Sequence, residues 1–95
     1  MASTAGAQTV TSRDVDRDIT ARLARAAGQL TAVQRMQAEQ RPCLDLIDQI
    51  RAVTAALDAA AVLLAERELS HLQARPSPQA ASAAVSVLRR VARRG

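Results

Sequence analysis

The sequence predicts an all-α subunit of three helices, and three observations carry that prediction. Phe, Tyr and Trp are absent from the 95 residues, so the core must be assembled from Leu, Val, Ile, Met and abundant Ala. Alanine is the strongest helix former, and β-branched residues are too sparse to make strands. Prolines at Pro42 and in Arg75-Pro76-Ser77-Pro78 cut the chain into three pieces, inside which apolar residues recur in steps of three and four.

Residues 1–10 are small and uncharged. They lack the basic start of a signal peptide and read as a disordered tail before one helical domain over 11–95. Thr11 or Ser12 can cap the first helix, with Asp14 in its first turn. Val15, Ile19, Leu23, Ala26, Leu30 and Val33 follow, and from Ile19 onward they form a heptad seam of about two repeats. The seam stops at Gln37, leaving Met36 as its last large apolar neighbour. Gly28 costs a helix about 1 kcal/mol relative to alanine, which points to close approach by another helix or by DNA.

The first helix should end near Gln40, because Pro42 disfavours a helical Arg41. Pro42 suits the first position of the second helix, which puts Cys43 in the opening turn. The next apolar stripe runs through Leu46, Ile47, Ile50, Val53, Leu57, Ala61 and Leu64 toward Leu72. A helix of about 30 residues is roughly 45 Å long. A domain this small cannot cover it, so burial by a partner chain is expected. Ser77 can cap a short third helix with Val85, Leu88 and Val91 on its apolar side. Arg89, Arg90, Arg93 and Arg94 at its end suit a helix C-terminus.

All 13 basic side chains are arginine, the net charge is +4 and the pI is about 11.3. Guanidinium pairs bidentately with phosphate and with guanine edges, so the charge suits an anionic partner. A GC-rich coding bias would explain the missing lysine without bearing on that partner. A single cysteine excludes an internal disulfide and agrees with a reducing, cytoplasmic setting. No apolar run approaches the ~20 residues of a membrane span. One Cys and one His, with no third member and no Gly-rich phosphate loop, form no catalytic constellation, so the sequence does not read as an enzyme.

Two stretches carry a resemblance. Starting at Arg22 the chain reads R-L-x-R-x-x-G-Q-L-x-x-V-x-R-M, and starting at Cys43 it reads C-x-D-x-x-x-Q-I-x-A-V. This resembles the copper-sensitive operon repressor family (CsoR/RcnR type), from about Asp18 to Leu72. The resemblance implies a DNA-binding transcriptional repressor whose three-helix subunits form an antiparallel four-helix-bundle dimer and then a dimer of dimers. It also implies binding of double-stranded operator DNA without a helix-turn-helix, through arginines on a broad helical face. Arg22, Arg25, Gln29, Arg35 and Arg51 match basic or polar positions of the family and are the implied DNA contacts.

Cys43 is the implied effector residue. A thiol in the first turn of a helix meets the positive end of the macrodipole, which favours thiolate. In the family, metal is held by this cysteine, a histidine 25 residues on, and a cysteine or histidine four further. Along one helix the first two are about 37 Å apart, so such a site joins two antiparallel subunits. Here those positions hold Glu68 and Leu72, which do not supply the soft donors that Cu(I) requires. His71 lies one residue earlier, and Cys43, Glu68 and His71 offer a divalent Zn(II) or Ni(II) set as an alternative.

The second cysteine of persulfide sensors would fall at Leu72, and no proline precedes Pro42 to match the formaldehyde sensors. The family's tyrosine before the cysteine is Pro42 here, and no acidic residue follows Glu68 to provide its glutamate on helix three. The effector therefore stays open among thiol modification and metal ligation. A helical protein-interaction module without DNA binding is the competing reading, since heptads and Ala-rich faces suffice for it.

Overall fold

The computed structural model describes residues 12–93. Three helices follow in order: α1 over Ser12–Ala38, α2 over Cys43–Ala74 and α3 over Pro78–Ala92. The subunit is all-α, with no strand among the described residues. The expected tail, the Thr11 cap and Arg94 lie outside those residues.

The link between α1 and α2, residues 39–42, is more specific than the sequence suggests. α1 ends at Ala38, close to the expected end near Gln40, and Gln40 adopts a left-handed backbone with φ 57°. The Gln40 N–H donates to the Gln37 carbonyl at 3.1 Å and the Arg41 N–H to the Met36 carbonyl at 3.0 Å. This pair of bonds is a Schellman closure, which satisfies carbonyls that the helix end would leave orphaned. Pro42 is the N-cap of α2 rather than its first helical residue. Its ψ is 140°, and its carbonyl accepts the Leu46 N–H at 3.2 Å. Cys43 is therefore the first helical residue.

The second break behaves as its residues dictate. The Ser77 hydroxyl accepts the Ala80 N–H at 2.9 Å, and Pro78 occupies the first turn of α3, where its missing N–H is no loss.

The helices lie side by side as a slab of 55 × 33 × 14 Å. α2 is the middle helix: α1 packs on one edge of it and α3 on the other. The radius of gyration is 17.8 Å, against about 12 Å for a compact chain of this length. A layer one helix thick can bury little. The buried apolar residues are Ile19, Ala26, Val33, Val53, Ala60 and Ala65. Three of them, Ile19, Ala26 and Val33, are spaced by seven, so α1 meets α2 along one row of its heptad seam. The other row, Leu23 and Leu30, is 43% and 49% exposed.

A polar tie crosses this layer. Arg67 Nη1 on α2 donates to Asp16 Oδ1 on α1, which fixes the start of α1 against the later part of α2.

Candidate nucleic-acid and effector faces

The slab has two unlike flat sides, and helical geometry assigns residues to them. A residue turns the helix by about 100°. Measured from the buried row of α1, Leu23 and Leu30 lie roughly 40–60° to one side, and Arg22, Gln29 and Arg25 lie roughly 40–100° to the other. Leu23 and Leu30 share a groove with Ala26, Ala27, Val53 and Leu57, so this side of α1 is continuous with α2.

On α2 the same side carries Cys43, Ile47, Ile50, Thr54, Leu57, Ala61, Leu64 and Glu68 at alternating steps of four and three, all of them exposed. Ile50 is 50% and Leu57 46% exposed, values far from those of a covered core. Thr54 donates its hydroxyl to the Ile50 carbonyl at 3.0 Å, so no free polar group interrupts the stripe there. Cys43 and Glu68 close its two ends. They differ by only about 20° in rotation over 25 residues, and the free thiol of Cys43 is exposed.

The opposite side gathers Arg22, Arg25 and Gln29. Arg22 Nε donates to Asp18 Oδ1 at 3.3 Å, one turn earlier on the same helix. Arg25 is exposed. Gln29 is half-buried, and its Oε1 is enclosed without a hydrogen-bond partner. Arg35 lies on the edge of α1 that faces away from α2, about 180° from the buried row. Arg51 lies on the edge of α2 that faces away from α1, beside Ile47, Ile50, Thr54 and Asp58. Within one subunit, three of the five sequence-derived DNA candidates share a face and two do not.

Gly28 also differs from expectation inside the subunit. A Cβ there would meet nothing within 4 Å, so no helix of the same chain requires the glycine.

Metal donors do not converge within one subunit. Among the described residues no group of three or more His, Cys, Asp or Glu side chains could hold an ion. His71 is already engaged in an interaction of its own. No helix among the described residues is long and apolar enough to cross a membrane.

The subunit is thus a thin helical slab with an apolar side that ends in a thiol and an arginine-bearing side opposite. A family model described as a metal-sensitive transcriptional repressor matches residues 16–94. The chain belongs to this family of metal-sensitive transcriptional repressors. One curated relative, the copper-sensing transcriptional repressor RicR of Mycobacterium tuberculosis (strain ATCC 25618 / H37Rv), is 44% identical over 50 residues, which cover 53% of this chain and 52% of that protein. The match thus spans about half the length of that relative. No solved structure matches the chain.

Proposed function

We propose that this repressor binds double-stranded operator DNA as a homodimer or a pair of dimers, and that modification or ligation of Cys43 releases it. The observation that carries this reading is the segregation of the two flat sides. An apolar side with half-exposed leucines and isoleucines is suited to a second copy of the chain. The opposite side offers Arg22, Arg25 and Gln29 to phosphates and base edges. Arg35 and Arg51, on outer edges, join the same DNA only as the assembly extends past one subunit.

The α2 stripe suggests how the copies pair. Its residues match in reverse order about a point between Ala55 and Ala56: Ile47 with Leu64, Ile50 with Ala61, Thr54 with Leu57. Two copies crossing antiparallel at that point form a four-helix core with α1. The same pairing sets Cys43 against Glu68 of the partner subunit.

This bears on the effector. Where the family's soft ligands stand, the chain has a carboxylate at Glu68 and a hydrocarbon at Leu72. That set suits a thiol reagent, or a divalent ion such as Zn(II) or Ni(II) with Glu68 and His71 of the partner subunit, better than Cu(I). Cys43 supplies the only thiolate, and a bound ion would tie the two α2 helices together there.

The test is a mobility shift with the chain's own upstream DNA. The native protein should bind and should be released by an oxidant, a persulfide donor, an electrophile or a divalent ion. Cys43→Ser should bind equally and stay bound under the same treatments. Stoichiometric Cu(I) binding against a strong competing chelator, with release of DNA, would overturn the ligand argument. A native protein that leaves its upstream DNA unshifted at low salt would favour the interaction-module reading.

A further inference from the structure

The excess positive charge of this chain is concentrated at one end of it. Residues 1–68 hold eight arginines and nine carboxylates, a net charge of −1. Residues 69–95 hold five arginines and no carboxylate, a net of +5 that more than accounts for the +4 of the whole chain. Helix by helix, α1 carries +2 and α2 carries −3 (His neutral), counted over their residues. The α1 face is therefore only weakly basic, and Arg22 on it is already paired with Asp18.

The arginines of the third helix are placed differently. Ala80, Ala81, Ala84 and Leu88 line a groove with Leu69 and Leu72, so this side of α3 faces α2. Arg89, Arg90 and Arg93 are rotated roughly 100–200° from Leu88. They stand with Ser82 and Ser86 on the outer side, and all five are exposed. Among the described residues these three arginines make no ion pair, and α3 has no carboxylate to offer one.

We propose that Arg89, Arg90 and Arg93 form a second contact surface for the phosphate backbone of duplex DNA, on the far edge of the slab from α1. It supplies most of the sequence-independent part of the affinity. This rests on the DNA-binding reading above and adds to it a partition of roles. Unpaired guanidinium groups release the counterions of phosphate without first breaking an internal bond. The acidic middle helix repels the duplex, so attraction comes from the two edges that flank it. An anionic lipid surface fits the patch less well. The chain has no aromatic residue to anchor at a membrane interface, and α3 leaves only Val85 and Leu88 exposed among its large apolar side chains.

The experiment measures fluorescence anisotropy of two labelled duplexes, the chain's own upstream DNA and a scrambled duplex of equal length, across a salt series. The triple variant Arg89→Gln/Arg90→Gln/Arg93→Gln should bind both duplexes more weakly by the same factor, about tenfold or more near 0.1 M salt. Its log–log salt slope should shrink by about 0.9 for each phosphate that is no longer neutralised. The corresponding Arg→Lys triple should restore the slope. Arg93→Gln alone, at a position just past the end of α3, tests the idea if the triple variant is poorly folded, and should reduce the slope by about 0.9. Binding with unaltered slope in these variants overturns the proposal and leaves DNA binding by α1 standing. Variants that lose only adsorption to anionic phosphatidylserine vesicles overturn it equally. A native protein that binds neither duplex removes the DNA-binding reading, and this proposal with it.

Discussion

Arg67 and Asp16 are 51 residues apart in the chain and joined by an ion pair, which sets the register of α1 along α2. Their side chains are 30% and 51% exposed, so solvent screens the pair and its worth is modest. Arg67 also has its Nε enclosed without a partner, which raises the stakes of leaving the guanidinium unpaired. Asp16→Asn is expected to lower stability by about 1 kcal/mol. Arg67→Met, which removes the enclosed nitrogen and keeps apolar length, should cost less than Asp16→Asn. Chemical denaturation of both variants and of the double variant gives the coupling directly, and zero coupling would show that the pair does not set the register.

Gln40 is a non-glycine residue in the left-handed region, where a Cβ crowds the following carbonyl oxygen. Gln40→Gly relieves that strain, and is expected to stabilise the subunit by about 1 kcal/mol. In a domain of this size that raises Tm by about 4–8 °C at fixed protein concentration. A lowered Tm would mean that the Gln40 side chain contributes more than the backbone strain removes.

Gly28 has open space around it. Gly28→Ala should therefore stabilise α1 by about 0.5–1 kcal/mol, the ordinary gain within a helix. If the glycine serves the close approach of DNA or of another subunit, the same variant will bind its upstream DNA or self-associate less well. More stability with unchanged binding and assembly would leave no role for the missing side chain.

Leu57 lies near the centre of the exposed α2 stripe and lines the groove with Leu23 and Leu30. Leu57→Glu places a carboxylate where two copies would meet. Sedimentation should then show a shift from dimer or tetramer toward monomer, with a loss of helical circular dichroism on dilution. Unchanged mass at micromolar concentration would place the subunit contact elsewhere.

Gln29 holds an enclosed Oε1 with no hydrogen bond. An unsatisfied buried acceptor costs about 1–3 kcal/mol, so Gln29→Met should raise stability. If Gln29 contacts DNA, the gain in Tm will accompany weaker operator binding, and a variant improved in both would remove it from the contact set.

The elements of this fold could be read from local chemistry, because prolines and a capping serine act on their neighbours. Pro76, Ser77 and Pro78 mark the start of α3 without reference to anything distant. The α1–α2 link was half legible. Pro42 announced a break, but its place as N-cap follows from the left-handed turn at Gln40, and no glycine is there to signal such a turn. The flatness was not legible at all. A heptad seam shows which side of α1 is apolar, and is silent on how much of that side one chain covers. Here Ile19, Ala26 and Val33 are covered while Leu23 and Leu30 are not. The arginine motif had the same limit. Arg22, Arg25 and Gln29 fall together because they share a helix, whereas Arg51 belongs to the far edge of another one. Charge position along the chain was visible from the start, but only the orientation of α3 turns its last arginines into a surface.

A subunit 14 Å thick has almost no interior of its own for a signal to cross. Regulators with deep cores need relays of packed side chains between sensing and binding sites. In this slab the middle helix is itself the boundary of both flat sides, and its first residue is the thiol. On the proposed function, a small slide or roll of α2 against α1 would displace both surfaces in a single motion. Tuning such a response would be a matter of how stiffly two rods are held together, through contacts that include three apolar side chains of α1 spaced by seven and a charged strut near its start.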